Sequence, residues 1–386
     1  MNAYFLDADQ IFKSAGEESG LAEYADAGLE ERFHHVMAQF NNHGPIPEAQ
    51  YRDAVDQVRS VLIKRLQVAR DWAEHPEILD EEIVQPLIVI GSARAGTTFT
   101  QMILELDEGN RTPRYRDVQH PSPPRGLDPA ADAAALAEQD EYVDYMVAKS
   151  PRMMQAHPYL DQRGESEAED EYSYSLDFQI AYPLWYLKTP SLPQTIPARD
   201  PIAALTFFKN MLKQYQWKMP TRRWVGKGVI HQYIAGSLLE VFPDSVGFWI
   251  HRPPEEYITS LLELLEQQYK PFNGEALYKV KPDEMVVQLK AGIDHILASP
   301  STDDPRLHHI RFRDFVSDPA KVIAPIYEEH GIPFTNAFAE KIRHATTDPS
   351  YKADRYGKFE YAMAKFGFDA NELRKTFAAY CERFDI

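Results

Sequence analysis

The stretch Pro86-Leu87-Ile88-Val89-Ile90-Gly91-Ser92-Ala93-Arg94-Ala95-Gly96-Thr97-Thr98 decides the fold. Its first half is a continuous apolar run rich in β-branched residues, which is typical of a strand buried on both faces in a parallel sheet. In its second half, two glycines five residues apart let successive N–H groups point inward, and the helical pattern that follows adds the partial positive charge of a helix N-terminus. This order of strand, glycine loop and helix predicts a phosphate loop; a tight turn that binds nothing is the alternative.

Three later segments have the same strand character, and helical patterns alternate with them. The strands are predicted at residues 224–226, 245–250 and 309–312. Helices are predicted near residues 131–147, 200–217, 231–241, 254–268, 282–297, 318–329 and 370–382. This alternation implies βαβ units, so the predicted fold class is α/β, with a P-loop-type parallel sheet flanked by helices. Residues 1–85 are predicted as an N-terminal helical region packed on the core, and residues 86–386 as the α/β domain, with a helical insertion at about 120–220.

Composition and charge exclude several classes of function. The 386 residues include 41 Lys and Arg against 59 Asp and Glu, a formal charge of −18, whereas nucleic acids and anionic membranes require a basic surface. Cys381 is the only cysteine, which rules out an intrachain disulfide and a zinc site made of several thiolates. No apolar run is long enough to predict a membrane span. An acidic N-terminus without a signal-peptide pattern, together with the single cysteine, predicts a cytoplasmic protein.

The phosphate loop lacks the lysine that nucleotide triphosphatases place after the second glycine, because Thr97 stands there. Arg94 supplies a cation inside the loop instead, in a fork suited to phosphate or sulfate oxygens. The predicted strand ending at Ile250 continues into His251-Arg252 rather than into a magnesium-binding aspartate, and Asp314 is predicted to start a helix. A nucleotide kinase or triphosphatase with a degenerate loop and a non-catalytic nucleotide-binding protein are the alternative functions.

Two motifs together resemble a known family, the sulfotransferases, which move a sulfuryl group from 3′-phosphoadenosine 5′-phosphosulfate (PAPS) to an acceptor. The loop is similar to that of the bacterial branch, Gly-x-x-Arg-x-Gly-Thr-Thr, with Ala93 and Ala95 where that branch usually has proline and serine. The segment from Phe242 to Pro254, followed by Ser260, is similar to the family's strand-Arg-Asp-Pro segment with a serine eight residues after the arginine. Residues 224–231 resemble its Trp-x-x-Lys-x-Pro-x-His strand.

The resemblance implies a role for each matching residue, with PAPS as co-substrate, 3′,5′-adenosine bisphosphate (PAP) as product and no metal. Arg252 and Ser260 are assigned to the 3′-phosphate of the cofactor. Phe99 is a candidate to stack on the adenine, and a place in the core is an equally weighted alternative. The 5′-phosphosulfate is assigned to the loop amides, the loop arginine and the two hydroxyls: Ala93, Arg94, Ala95, Gly96, Thr97 and Thr98.

The resemblance also points to candidate catalytic residues. Lys227 is predicted to neutralise charge growing on the leaving phosphate. Asp117 stands where the bacterial branch has a proposed catalytic glutamate, while His231 and His120 are alternative bases because a neutral imidazole can accept a proton at cellular pH. The acceptor is predicted to be a small-molecule alcohol or phenol, with no nucleic acid partner, and a homodimer is left open.

Two features between residues 120 and 200 are less specific. The acidic run at residues 165–171 is predicted to be the solvated start of a helix. An aromatic cluster follows it that is compatible with a ring-shaped acceptor and is interpreted first as helix packing: Tyr172, Tyr174, Phe178, Tyr182, Trp185 and Tyr186.

Overall fold

Five parallel strands form the central sheet of the computed structural model, which describes residues 3–42, 44–179, 200–220, 222–273 and 281–386. The strands are β1 (Ala3–Tyr4), β2 (Ile46–Pro47), β3 (Leu87–Gly91), β4 (Asn110–Arg111), β5 (Arg223–Gly228), β6 (Val246–His251) and β7 (Leu307–Arg311). The central sheet has the order β4-β5-β3-β6-β7, while β1 and β2 form a separate antiparallel pair. Because the five strands are parallel, the carboxyl ends of β3, β5 and β6 meet at one edge, where α/β proteins bind ligands. The predicted α/β fold is confirmed.

Helices surround this sheet, and α4 begins directly after the glycine loop. The helices are α1 (Ala8–Ser19), α2 (Leu29–Asn41), α3 (Glu48–Glu74), α4 (Thr97–Glu105), α5 (Tyr115–Gln119), α6 (Pro129–Lys149), α7 (Met153–Ala156), α8 (Glu171–Leu176), α9 (Pro201–Gln216), α10 (Ala235–Val241), α11 (Pro254–Asn273), α12 (Pro282–Ala298), α13 (Phe312–Ser317), α14 (Pro319–Glu329), α15 (Asn336–Thr347), α16 (Ala370–Thr376) and α17 (Ala378–Phe384).

The four predicted strands are all present, and the differences from prediction are local. Strand β4 was not predicted, because two residues are too short to show a periodic pattern. The helix predicted from residue 231 begins only at Ala235, since Ile230–Tyr233 form a 3-10 turn. Asp314 lies in the first turn of α13, as predicted, and pairs with Arg311.

The side chains of β3 divide the apolar core into two layers. Successive residues of a strand point to opposite faces, so Ile88 and Ile90 join one buried cluster and Leu87 and Val89 join the other. Trp224 and Trp249 fill the first layer from the neighbouring strands. Full burial of one aliphatic side chain of β3 stabilises the fold by about 1.5–3 kcal/mol. The loop that follows β3 is therefore attached to a strand whose five residues are all buried.

The N-terminal helices α1, α2 and α3 have an apolar cluster of their own, which also takes in Phe178 from the segment after α8. Buried ion pairs reinforce this contact, because Asp177 Oδ1 lies 2.8 Å from Arg65 Nε and 2.7 Å from Arg32 Nη2. The helical prediction for this region is confirmed, and a domain boundary at residue 85 stays a prediction.

The aromatic cluster predicted beyond residue 170 lies in the core where it is described. Tyr174 and Phe178 are buried, and Tyr172 is half-buried and packs against the core, which agrees with helix packing. Tyr182, Trp185 and Tyr186 lie outside the described residues. Within the described ranges, no helix combines the length and the apolar character that crossing a bilayer requires.

Candidate active site

The glycine loop contains three residues with positive φ, the first of which is Gly91 at +153°. Arg94 has φ +69° and Gly96 has φ +100°. At Gly96, a Cβ atom would overlap the ring of Phe312, so only glycine fits there. Helix α4 begins at the next residue, and the first N–H groups of a helix have no helical carbonyl to bind. The loop thus presents backbone donors and a helix N-terminus to the sheet edge, as predicted for an anion site.

Arg94 and Arg252 lie side by side at this edge. Arg94 donates from Nε to Ser260 Oγ at 3.0 Å and from Nη1 to the carbonyl of Ala156 at 2.8 Å. Arg252 donates from Nη1 to the carbonyl of Arg94 at 2.9 Å and from Nε to Glu256 at 3.1 Å. Burial lowers the pKa of Arg94 to about 10, which leaves it charged at neutral pH. The structure therefore brings together three of the predicted cofactor residues.

Lys227 completes the cationic group from the end of β5. Its Nζ donates to Thr98 Oγ1 at 3.1 Å and to Glu169 Oε1 at 3.0 Å. The side chain is almost fully buried, so its ammonium is oriented by these two partners rather than by solvent. The predicted lysine and the glycine loop thus lie in direct contact.

The glycine loop, Arg252 and Ser260 border a cleft of about 500 Å³. Lys227 does not border it directly, but its two partners Thr98 and Glu169 do. Of the predicted cofactor residues, only Ala95 does not border it, since its side chain is buried below the loop. Phe99 borders the cleft and also packs edge-on against Phe315, with ring centres 5.9 Å apart, so both of its predicted roles are compatible with its position. Several residues that were not predicted complete the wall: His157, Tyr159, Glu169, Phe312, Thr346, Phe359 and Tyr361.

The ring of Phe359 faces two arginines on the cleft wall. The Arg94 guanidinium carbon lies 5.6 Å from the ring centre, and that of Arg152 lies 5.3 Å from it. Arg152 also donates to Glu263 of α11 at 2.6 Å. Cation–π contacts of this kind hold Phe359, on the cleft wall, against Arg94 of the glycine loop.

Asp117 and His120 lie away from the cleft, in a second pocket of about 200 Å³. The Asp117 carboxylate accepts from the Arg114 backbone N–H at 3.2 Å and from Arg125 at 3.4 Å, so it caps its own helix α5. Burial raises its pKa to about 6. His120 Nδ1 lies 3.6 Å from a carboxylate oxygen of Glu138. The structure does not place either residue beside the phosphate loop.

His231 is close to Lys227 in sequence but does not border the cleft. Its side chain is fully buried, and its Nε2 is hydrogen-bonded to the Tyr174 hydroxyl. Burial lowers its pKa to about 3, so the ring is neutral at cellular pH. An acceptor molecule in the cleft would not reach this imidazole.

The acidic run at residues 165–171 contains a candidate site residue, Glu169, that the sequence did not predict. A helix does start there, but the prediction of a solvated start is wrong, since Asp170 and Glu171 have no exposed surface. The backbone N–H of Asp170 donates to the Lys227 carbonyl at 2.9 Å, and Glu171 Oε1 accepts from the Ile230 N–H at 3.0 Å. These bonds attach the run to the end of β5 and place Glu169 at the cleft. The only hint in the sequence was the interleaving of these acids with small and aromatic residues.

Two buried acids of the run, Asp170 and Glu171, have pKa values raised above the ordinary range of a carboxyl group. Burial, followed by the neighbouring Glu171, raises the pKa of Asp170 well above its ordinary value. Burial and then Glu169 raise the pKa of Glu171 to about 8. At His157, burial and then Arg94 lower the pKa to about 3, so this imidazole is neutral. The carboxylate hydrogen-bonded to Lys227 is that of Glu169.

Residues 86–336 match the model of the sulfotransferase family. The chain belongs to the sulfotransferase family. The family predicted from the motifs is thus confirmed, and with it a transferase class of activity. A comparison with curated proteins found no match.

Two solved sulfotransferases show how far the fold extends. Sulfotransferase STF9 from Mycobacterium avium superposes with a TM-score of 0.77 at 24% identity, covering 98% of this chain and 97% of that one. Sulfotransferase STF1 from Mycobacterium tuberculosis H37Rv superposes with a TM-score of 0.71 at 16% identity, covering 97% and 99%. The shared fold therefore includes the N-terminal helices as well as the sheet.

Proposed function

We propose that this sulfotransferase moves a sulfuryl group from PAPS to a hydroxyl of a small-molecule alcohol or phenol. One observation carries the proposal: Arg94, Lys227 and Arg252 converge around a helix N-terminus whose loop lacks the lysine of nucleotide triphosphatases. Sulfuryl transfer needs in-line positioning and charge stabilisation, which protein cations and loop amides supply.

The residues at the sheet edge fit a compact polyanion. Arg252 and Ser260 would hold the 3′-phosphate, and the amides around Gly96, with Thr97 and Thr98, would hold the 5′-phosphosulfate. Arg94 connects these two sets of residues. Its side chain donates a hydrogen bond to Ser260, and its backbone carbonyl accepts one from Arg252. When bound, PAPS supplies an activated sulfuryl group on a phosphate leaving group. Guanidinium forks suit oxygens of this geometry better than a single ammonium does.

Lys227 would stabilise negative charge where it develops. Its ammonium contacts Thr98 at the start of α4, so it lies beside the loop that would hold the leaving phosphate. Being buried, it acts in a medium of lower effective dielectric than water, which strengthens the interaction.

We place the general base at Glu169 rather than at Asp117, His120 or His231. Glu169 borders the cleft, and its carboxylate lies 3.0 Å from Lys227 Nζ. It would take the proton of the acceptor hydroxyl as the oxygen attacks, within reach of the cations. His157 also borders the cleft, but an imidazole with a pKa of about 3 is a weak base.

Calorimetry and a turnover assay test the proposed function. The full chain should bind PAP more tightly than adenosine 5′-phosphate, and should release PAP from PAPS in the presence of members of a panel of alcohols and phenols. Binding of ATP with Mg²⁺ but not of PAP would favour a kinase or triphosphatase and overturn the proposal. Tight PAP binding without release of PAP from PAPS across the panel would favour a nucleotide-binding protein.

The base assignment is tested by the matched variants Glu169→Gln and Asp117→Asn. We expect Glu169→Gln to lower kcat about 10²–10⁴-fold, the usual contribution of a general base, with PAP affinity retained. Asp117→Asn should leave kcat close to that of the wild type, because the residue caps α5 away from the cleft. A large loss of kcat in Asp117→Asn with wild-type kcat in Glu169→Gln would instead identify Asp117 as the general base.

A further inference from the structure

A group of potential metal ligands lies away from the cleft, at the edge strand β7. His308 belongs to β7, and Glu329 and His330 end helix α14. One ligand atom from each residue lies within 4.8 Å of those of the other two. The two histidines are half-buried, and Glu329 is exposed.

The imidazole rings of His308 and His330 approach each other at their Nε2 atoms. His308 Nε2 lies 2.8 Å from His330 Nε2, and the ring planes are perpendicular with centres 5.0 Å apart. Only one of the two nitrogens can carry a proton in this contact, because a proton on each would put two donors against each other. The contact therefore joins a donor to a lone pair.

A divalent cation can replace the shared proton at this point. Zinc–nitrogen bonds of about 2.0–2.1 Å in tetrahedral geometry place two nitrogens about 3.3 Å apart, so the pair would open by only about half an ångström. The acidic side chain adjacent to His330 in sequence supplies an oxygen ligand and negative charge.

We propose that His308, Glu329 and His330 form a site for a transition-metal dication of the zinc or nickel class. Imidazole and carboxylate ligands suit these ions rather than Mg²⁺, which prefers oxygen ligands. Water would complete the coordination on the exposed side. A bound ion would link the edge strand β7 to the end of α14. The site lies apart from the sulfuryl-transfer residues and does not depend on the proposed function.

Calorimetric titration of the full chain with ZnCl₂ and with NiCl₂ tests the site, with MgCl₂ as the reference ion. We expect about one equivalent of zinc or nickel to bind and no heat from magnesium. His330→Ala and His308→Ala should each lower the affinity by about tenfold or more, the range in which even outer-shell changes act. Glu329→Gln should weaken binding less, since both imidazoles remain.

His34→Ala is the matched control, because Asp9, Glu30 and His34 form the other three-residue group with metal-ligand spacing among the described residues. It should leave zinc affinity unchanged, and zinc should raise the Tm of the wild type but not that of His330→Ala. The proposal is overturned by absent zinc and nickel binding, by unchanged affinity in His330→Ala, or by loss of binding in His34→Ala. If His308→Ala fails to fold, His330→Ala and Glu329→Gln still decide the question.

Discussion

Arg94, Lys227 and Arg252 differ in how their charges are compensated. Lys227 is paired with Glu169 and Arg252 with Glu256. Among the described residues, Arg94 is instead hydrogen-bonded to a hydroxyl and a carbonyl and lies against the Phe359 ring, all of them uncharged. A cation with neutral partners keeps more of its field for an anionic ligand. Arg94 therefore suits binding of the cofactor, and Lys227 suits a charge that appears only during the reaction.

Replacing Lys227 with alanine should lower turnover far more than cofactor affinity. Loss of one preorganised donor to a developing charge typically costs about 10²–10³-fold in kcat, while the resting cofactor keeps its arginines. Single-turnover rates and PAP calorimetry on the same preparation measure the two effects. Lys290→Ala, an exposed lysine of α12 paired with Asp294, is the control and should change neither. Equal losses in rate and affinity would show that Lys227 acts in binding alone.

The conformation of the loop between β3 and α4 requires Gly96 to lie close to Phe312, the first residue of α13. At Gly96 the left-handed backbone and the nearby Phe312 ring leave no room for a side chain. Gly44 has a similar φ of +97° but open space around it. A side chain at Gly44 would therefore cost only backbone strain, whereas a side chain at Gly96 would cost backbone strain and a clash with Phe312.

Gly96→Ala should destabilise the protein more than Gly44→Ala does. Both variants incur backbone strain of about 1–3 kcal/mol, and Gly96→Ala adds overpacking of about 1–3 kcal/mol against Phe312. Urea denaturation gives the two changes in unfolding free energy, and calorimetry gives PAP affinity, which only Gly96→Ala should weaken. Equal destabilisation in the two variants would contradict the close packing at the loop.

The acidic segment beneath β5 makes stability depend on pH. The folded pKa of Glu171, about 8, lies above its ordinary value, so the unfolded chain loses this proton at lower pH than the folded chain does. The stability due to its protonated form is complete at low pH and is lost as pH rises toward 8. His231 acts in the opposite direction, because its lowered pKa favours the folded state as pH rises toward 6.5.

Glu171→Gln should flatten the alkaline side of this profile, since glutamine resembles the protonated acid and does not titrate. Relative to wild type, the variant should gain up to about 1.4 kcal/mol in unfolding free energy for each pH unit between 5 and 8. Denaturation at several pH values measures this gain. Glu17→Gln, at an exposed pair on α1, should keep the slope of the wild type. An unchanged slope in Glu171→Gln would show that the buried acid is ionised.

How far the site could be predicted from sequence depends on the distance between partners along the chain. Strand β3, the glycine loop and α4 are contiguous, so their pattern is visible in one stretch. Arg252 and Ser260 are recognisable by their own spacing at the end of β6. Glu169 and Lys227 are 58 residues apart and meet only because the segment before α8 attaches to β5. No local pattern predicts such a contact, and a run of acids on its own usually indicates a solvated surface.

At the scale of the whole molecule, the protein has a formal net charge of −18, although Arg94 and Arg252 line the cleft. Net charge acts over long distances and repels a polyanion, while the arginines act at contact. Salt screens the long-range part first, since the Debye length falls from about 30 Å at 0.01 M to about 10 Å at 0.1 M.

The association rate of PAP should therefore stay level or rise as salt increases from 0.01 to 0.1 M, whereas its dissociation rate should rise as the contacts weaken. Stopped-flow measurements at several salt concentrations give both rates. A strong fall in the association rate with salt would mean that the cleft field extends beyond the acidic surface.

The position of Phe359 offers a way to observe the cleft directly. Its ring faces both the loop arginine and Arg152, which is anchored on α11 through Glu263. A fluorine atom on this ring would sit in the electric field of two guanidinium groups. Its resonance frequency would then report whether nucleotide occupies the cleft, in the native enzyme and during turnover.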